Sequence, residues 1–234
     1  MKEKFKGTIC VYCAINPSET DDHIFAKQFL LPDKRKNKQN ILDVPACKHC
    51  NSEKAKLEYY LTSVLPFGGR HEDACHNLEN VPKRLSRNPS LRRSLVQERR
   101  KVWLQESSGL YVSTIALPLR PGSVEKLYEF IVKGLVWLHW KSYVAAEQVV
   151  EVTALLAEEE HILEDYFSNI SLHLKKRGNI GNGTFVYEGY RRIDSPQITE
   201  WRFSLYGGLK LGAGTKECYG VFSQLYAYTG PKEI

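Results

Sequence analysis

Two cysteine pairs, Cys10-Val-Tyr-Cys13 and Cys47-Lys-His-Cys50, enclose residues 14–46 of this chain. Two such C-x-x-C turns supply the four thiolates of a tetrahedral zinc site, in which each Zn–S bond is about 2.3 Å long. A zinc ribbon carries a shorter insert, of about 15–20 residues, between its pairs. The sequence therefore predicts a structural zinc on Cys10, Cys13, Cys47 and Cys50 that joins the two ends of a larger element.

Cysteine usage and the N-terminus both favour a cytoplasmic protein. The start, Met1-Lys-Glu-Lys-Phe-Lys6, has no apolar run leading to a cleavage site, so it does not resemble a secretory signal. In the cytoplasm thiols stay reduced, and C-x-x-C pairs are then usually metal ligands. Cys75 and Cys218 stand alone and receive no role. The apolar stretch 124–150 carries too many charges for a membrane span, which predicts a soluble chain without a membrane partner.

The residues between and just after the cysteine pairs resemble the HNH endonuclease family. In that family a β-hairpin carries an acidic residue followed by His, a central Asn follows, and a C-x-x-C-(His or Asn)-x-x-Lys turn opens a helix. Here the matching segments are Asp22-His23-Ile24, Asn40 and Cys50-Asn51-Ser-Glu-Lys54. The resemblance covers residues from about Ile9 to Leu57, roughly a quarter of the chain, and implies a ββα-metal fold.

The resemblance assigns a role to each matching position. It makes His23 the general base, Asp22 and Asn51 the ligands of a catalytic metal, and Asn40 the residue that orients the base. Asn51 stands where the family more often has His, which makes this the HNN variant. Lys54 either meets a phosphate or covers the helix. The products implied are 5′-phosphate and 3′-hydroxyl ends.

The chemistry of these side chains agrees with that assignment. Phosphodiester hydrolysis needs a base for water and a hard divalent ion for the charge on the phosphoryl and leaving oxygens. Imidazole is the side chain suited to proton transfer near neutral pH, so His23 fits the role of the base. Asp22 and Asn51 offer only oxygen, which favours Mg²⁺ or Mn²⁺ over a second zinc. Asn40 is expected to hydrogen-bond the ring and fix its tautomer. Taken singly, each residue is as easily a surface, capping or turn residue.

The remaining chain predicts an α+β fold: an N-terminal ββα-metal zinc module in residues 1–66, then a mixed helical and antiparallel-sheet region in residues 67–234. Residues 52–65 contain strong helix formers, and an arginine-rich helical stretch runs to about Lys101. A strand pair is expected at 102–104 and 110–117. Ser123 should cap a helix whose apolar stripe is core, and 149–169 should continue helical. Period-two patterns then predict strands at 184–190, 201–211 and 221–228.

Charge distribution favours an anionic partner without requiring one. The formal net charge is +6, and basic residues cluster at 33–39 and 83–101, where they either track phosphates or form a solvated helix face. The favoured hypothesis is a metal-dependent DNA endonuclease whose remaining residues serve recognition, regulation or assembly into a homodimer. The alternative is a zinc-stabilised nucleic-acid-binding or effector protein that has lost catalysis. RNA is a third, weaker substrate option.

Overall fold

A computed structural model describes residues 5, 7–69, 71–105, 109–156, 160–168, 173–212 and 219–232, and it confirms the predicted α+β class. Cys218 lies outside the described residues. None of the helices in the described part of the chain combines the length and the apolar character that crossing a bilayer requires.

The N-terminal region is a β-hairpin followed by a long helix. Strands β1 (Thr20–His23) and β2 (Asp43–Ala46) pair antiparallel, with His23 facing Asp43. Their connection winds through three short 3₁₀ turns, Lys27–Phe29, Lys34–Lys36 and Lys38–Asn40. Helix α1 (Lys48–Val64) starts directly after β2, four residues earlier than its helix formers alone predict, because Cys47 caps it.

The predicted helical stretch forms two helices that end at Glu98, and the predicted strand pair forms a separate hairpin that begins at Arg100. Helix α2 (Glu72–Ser86) and helix α3 (Pro89–Glu98) carry the arginine-rich stretch. Strands β3 (Arg100–Gln105) and β4 (Tyr111–Ala116) pair with each other and with no other described strand, so they form a two-stranded sheet.

Helix α4 (Ser123–Trp140) is part of the hydrophobic core. The predicted apolar stripe is buried, as expected for core, except that Leu138 is half-buried. The N-cap is Gly122 and not Ser123, whose hydroxyl instead donates to the Arg120 carbonyl. Gly134 on this helix is needed for close packing, since an added Cβ would lie 2.9 Å from Ile24 of the N-terminal region.

A six-stranded antiparallel sheet forms the C-terminal part, with α5 (Glu160–Ser168) beside it. Its order is β5-β10-β8-β7-β6, with β9 on β10. The strands are β5 (Gln148–Leu156), β6 (His173–Ile180), β7 (Phe185–Arg192), β8 (Thr199–Leu205), β9 (Leu209–Gly212) and β10 (Tyr219–Pro231). The expectation that 149–169 continues helical was wrong for β5, where the β-branched Val149, Val150, Val152 and Thr153 favour a strand that pairs with β10.

The N-terminal region and the C-terminal sheet share one hydrophobic core. Phe25, which follows β1, stacks on Phe185 of β7 with ring centroids 4.4 Å apart, and Phe29 lies edge-on to Tyr206. Buried residues of both regions belong to one contiguous cluster. The division between residues 66 and 67 stays a prediction. Phe25, two residues after His23, packs the end of β1 against the sheet.

Candidate functional site

The four predicted zinc ligands come together at the base of the hairpin. The sulfur atoms of Cys10, Cys13, Cys47 and Cys50 all lie within 4.8 Å of one another. Cys13 is half-buried and the other three are buried. Four thiols at this spacing are close enough to bind one metal ion.

Local backbone geometry forms both cysteine turns. The Ala14 N–H donates to the Cys10 carbonyl, and Ala14 has φ 56°, so the first turn closes tightly after Cys13. Val11 N–H donates to the Pro45 carbonyl of β2, which ties this turn to the hairpin. In the second turn Cys47 Sγ accepts from the Cys50 N–H at 3.5 Å. Both pairs are thus held by the strand and helix that flank them.

The thiols differ in their tendency to ionise. Burial raises the pKa of Cys10 and of Cys50. At Cys47 burial acts in the same direction, but hydrogen bonds from the Cys50 N–H and from neighbouring groups outweigh it and lower the pKa. Asn16 adds one such bond through its side-chain amide, 3.9 Å from Cys47 Sγ. A bound cation would favour all four thiolates, because a coordinating thiol is deprotonated.

A histidine–aspartate pair lies at the opposite end of the hairpin, where both strands meet their connecting segment. His23 Nδ1 is 2.5 Å from Asp43 Oδ1, and the two side chains are 34% and 28% exposed. A carboxylate in this position holds the proton on Nδ1 and leaves Nε2 as an acceptor. Nε2 has no hydrogen-bond partner among the described residues. The ring is therefore oriented, reachable from solvent and able to take a proton.

Asp22 points the other way, into a buried charge cluster under the hairpin. Its Oδ2 accepts from the Tyr12 hydroxyl at 2.5 Å and lies 3.1 Å from Lys54 Nζ. Lys54 is fully buried and also contacts the His23 carbonyl at 2.6 Å and the Glu58 carboxylate. It therefore neither meets a phosphate nor covers the helix surface.

The carboxylates of Asp22 and Glu58 share the ammonium of Lys54. Burial raises the pKa of Glu58 to about 7; Lys54 opposes this rise and Asp22 adds to it. Burial and then Asp22 likewise raise the pKa of the Tyr12 hydroxyl. Asp22 Oδ1 accepts no hydrogen bond from any described residue, so one oxygen of that carboxylate is left for another ligand.

Asn51 lies beside β1, on the same side as Asp22. Its Nδ2 donates to Thr20 Oγ1 at 3.0 Å, and Thr20 shares a strand face with Asp22 because side chains two residues apart do so. That hydrogen bond orients the amide and leaves Asn51 Oδ1 without a partner among the described residues.

Asn40 does not orient His23, contrary to the expectation from sequence. Its amide donates to the Lys34 carbonyl at 2.8 Å, and its Oδ1 accepts from the Gly181 N–H at 3.0 Å. It is buried and ties the connection between β1 and β2 to the C-terminal sheet. Asp43 takes the place beside the ring, since its position across the hairpin puts its side chain on the same face as His23.

The basic stretch at 83–101 forms an exposed surface, with one exception. Lys83, Arg87, Arg92, Arg93, Arg99, Arg100 and Lys101 are exposed and form no ion pair with another described residue. Arg84 is half-buried and donates to the Thr62 carbonyl, so its role is structural.

A second group of metal-ligand side chains, His71, Glu72 and Asp73, also lies within 4.8 Å. Lys34 Nζ contacts both carboxylates at 2.7 Å, and the buried Asp73 accepts from the Thr184 hydroxyl. The ammonium of Lys34 therefore already compensates part of the negative charge of this group, which joins α2 to the sheet.

No family model, curated protein or solved structure matches this chain.

Proposed function

We propose that this chain is a metal-dependent endonuclease of the HNH type that hydrolyses phosphodiester bonds of DNA, with His23 as its general base. The observation that supports the proposal most directly is the His23–Asp43 pair, with Nδ1 and Oδ1 2.5 Å apart on a hairpin rooted in the four-cysteine cluster. An imidazole held by a carboxylate and open at Nε2 is suited to take a proton from water.

Asp22 and Asn51 would hold the catalytic Mg²⁺ or Mn²⁺. Each offers an oxygen that accepts no bond from another described residue, and hard divalent cations prefer such donors. When bound, the ion would stabilise negative charge on the phosphoryl and leaving oxygens. Tyr12 and Lys54 would hold the Asp22 carboxylate in place through its other oxygen.

Zinc is the ion we assign to the four-cysteine cluster, in a structural role. Four thiolates leave no open position for a substrate, which is the arrangement of structural sites. The ion would fix the turn before β1 to the start of α1, and so would hold the hairpin that carries His23 and Asp43.

DNA as substrate is supported by the exposed basic surface of α2 and α3. Unpaired arginines bind phosphates through charge and release condensed counterions, whatever the base sequence. The same contacts would bind RNA, so the assay must include it.

A zinc-stabilised nucleic-acid-binding protein without catalysis is the second candidate. It is favoured by the ammonium of Lys54, 3.1 Å from Asp22, since an internal cation already compensates the carboxylate that a metal would need. Binding would then persist without cutting.

Incubation of purified protein with supercoiled plasmid, linear duplex, single-stranded DNA and RNA separates the two candidates. Each substrate is tested with Mg²⁺, with Mn²⁺ and without divalent metal. We expect nicking that needs the metal and is lost in His23→Ala, with zinc content and DNA binding unchanged. Equal activity in wild type and His23→Ala, both free of contaminating nuclease, would contradict the proposal and favour the binding protein.

A further inference from the structure

The β3–β4 hairpin presents one face almost entirely to solvent. Side chains alternate along each strand, so Lys101, Trp103, Tyr111, Ser113 and Ile115 share this face, and all of them are exposed. On the opposite face Val102, Thr114 and Ala116 are half-buried, whereas Arg100 and Val112 are exposed. One face of the hairpin is thus partly covered, and the other has no partner among the described residues.

The exposed face is unusually apolar and aromatic for a solvent surface. Trp103 is 57% exposed, Tyr111 64% and Ile115 55%. Single exposed apolar side chains are common, but a group of them on one element is typical of an interaction site.

Basic residues lie close to the Trp103 ring. Arg99 and Arg100 lead into the hairpin, and Lys101 Nζ lies 5.8 Å from the centre of the Trp103 ring. Between residues 83 and 101 the only acidic residue is Glu98, which accepts a hydrogen bond from Ser94. The surface therefore matches an anionic partner that also has flat apolar faces.

We propose that this face binds unpaired bases of single-stranded nucleic acid, with Trp103 and Tyr111 as stacking rings and Arg99 and Lys101 on the flanking phosphates. The inference rests on the proposed function only in taking nucleic acid as the ligand. Every base has a π-face that stacks on an aromatic ring, whereas the bases of a duplex are already stacked on each other.

A second copy of the chain fits this face less well. Pairing two hairpins on their apolar faces would bring two copies of Lys101 close together, with no described acidic side chain on this face to offset them. Like charges at such an interface oppose association.

The test measures the affinity of the intact protein for a labelled single strand of about 16 nucleotides and for a duplex of the same sequence, without divalent metal. Trp103→Ala and Tyr111→Ala should each weaken single-strand binding about tenfold and duplex binding much less. Phe67→Ala is the matched control, because Phe67 is also an exposed aromatic residue, at 56%, outside the hairpin.

Tryptophan fluorescence provides a second readout. Trp137 and Trp201 are buried and Trp140 is half-buried, so quenching by bound DNA should come from Trp103 and should disappear in Trp103→Phe.

Unchanged single-strand affinity in both alanine variants would overturn the inference. So would a wild-type dimer that becomes monomeric in Trp103→Ala with no change in DNA affinity, since the face would then bind a second copy. A loss of cleavage in His23→Ala with no effect of Trp103→Ala on binding would leave the proposed nuclease intact and remove only the hairpin's role. Binding that depends on Trp103 in a protein that cuts nothing would support the inference and contradict the nuclease.

Discussion

His23 and Asp43 face each other across the N-terminal hairpin, with Nδ1 of the ring 2.5 Å from Oδ1 of the carboxylate. The hydrogen bond fixes the orientation and tautomer of a ring that is one-third exposed. If His23 is the general base, the efficiency of the base depends on Asp43 although Asp43 touches no reacting atom.

Asp43→Asn should therefore reduce the cleavage rate by about 10²- to 10⁴-fold, because an amide can hold the wrong tautomer of the ring. The measurement is the rate of plasmid nicking at saturating Mg²⁺, with its pH profile. A merely structural role would lower stability and leave the pH profile unchanged. Asp21→Asn is the control. Asp21 lies on the same face of β1 as His23, but the hydrogen bond of Nδ1 of the His23 ring is to Asp43.

Removal of one cysteine should release the zinc. We predict that Cys47→Ser loses the single zinc ion per chain and that thermal unfolding shifts to lower temperature, because metal binding contributes directly to folding in small metal-held modules. The core is shared between the hairpin region and the sheet, so the loss should be felt by the whole chain. Cys75→Ser, at an exposed thiol away from the cluster, should keep its zinc. Full zinc stoichiometry in a cooperatively folded Cys47→Ser protein would refute the four-cysteine site.

Neutralisation of the exposed arginines should weaken DNA binding evenly across base sequences. The double variants Arg92→Gln/Arg93→Gln and Arg99→Gln/Arg100→Gln should each flatten the slope of log affinity against log salt by up to about 2, one phosphate contact per charge. Lys126→Gln/Lys232→Gln removes the same charge elsewhere and should leave the slope near that of wild type. An unchanged slope in the arginine variants would make this stretch a plain solvated surface.

Sequence alone predicted the elements whose signals are local. The cysteine spacing placed four sulfur atoms together, and the three- and four-residue apolar steps from Val124 placed the central helix. The strand β5 was missed because its pairing partner, β10, lies some 70 residues later, and short apolar runs do not distinguish a helix from a strand.

At the candidate site, the register in which the strands pair could not be predicted from the sequence. Asp43 becomes a partner of His23 only once β1 and β2 pair in one particular register. Asn40 does not reach His23, because its Oδ1 accepts a hydrogen bond from Gly181, which lies 141 residues later in the chain. Lys54 meets Glu58 because the two residues are spaced i, i+4 on α1, and this spacing is visible in the sequence. Lys54 meets Asp22 because the hairpin packs against α1, and this contact is not visible in the sequence.

Substitutions at Asn51 should change the metal requirement of cleavage. Asn51→Ala removes one oxygen ligand and should raise the Mg²⁺ concentration for half-maximal cutting, with partial rescue by Mn²⁺. Asn51→His should retain activity, because the resembling family uses either residue at this position. The measurement is the cleavage rate over a metal titration, with zinc content as the control. Identical titrations for wild type and Asn51→Ala would remove Asn51 from the catalytic site.

Stability should fall as the pH drops below 6.5, in part through His139. This residue lies on α4, with Nε2 3.0 Å from the Tyr187 hydroxyl, and burial followed by the nearby Lys176 and Lys141 lowers its pKa to about 4. Between the two pKa values the unfolded chain binds a proton at this ring that the folded chain does not, so the free energy of unfolding decreases as pH falls through that window. The contribution is at most roughly 2–3 kcal/mol at pH values near the lower end, and solvent screening of the half-buried ring reduces it.

Urea denaturation of wild type and His139→Gln between about pH 7 and pH 4.5 isolates this contribution, because the carboxylates titrate equally in both proteins. Glutamine does not titrate and can still hydrogen-bond the Tyr187 hydroxyl. We expect the variant to be less stable than, or similar to, wild type at neutral pH, since the buried ring is replaced, but to lose less stability on acidification. Parallel curves of unfolding free energy against pH would show that His139 takes up no proton on unfolding in this range, and the acid sensitivity of the chain would then come from its other titratable groups.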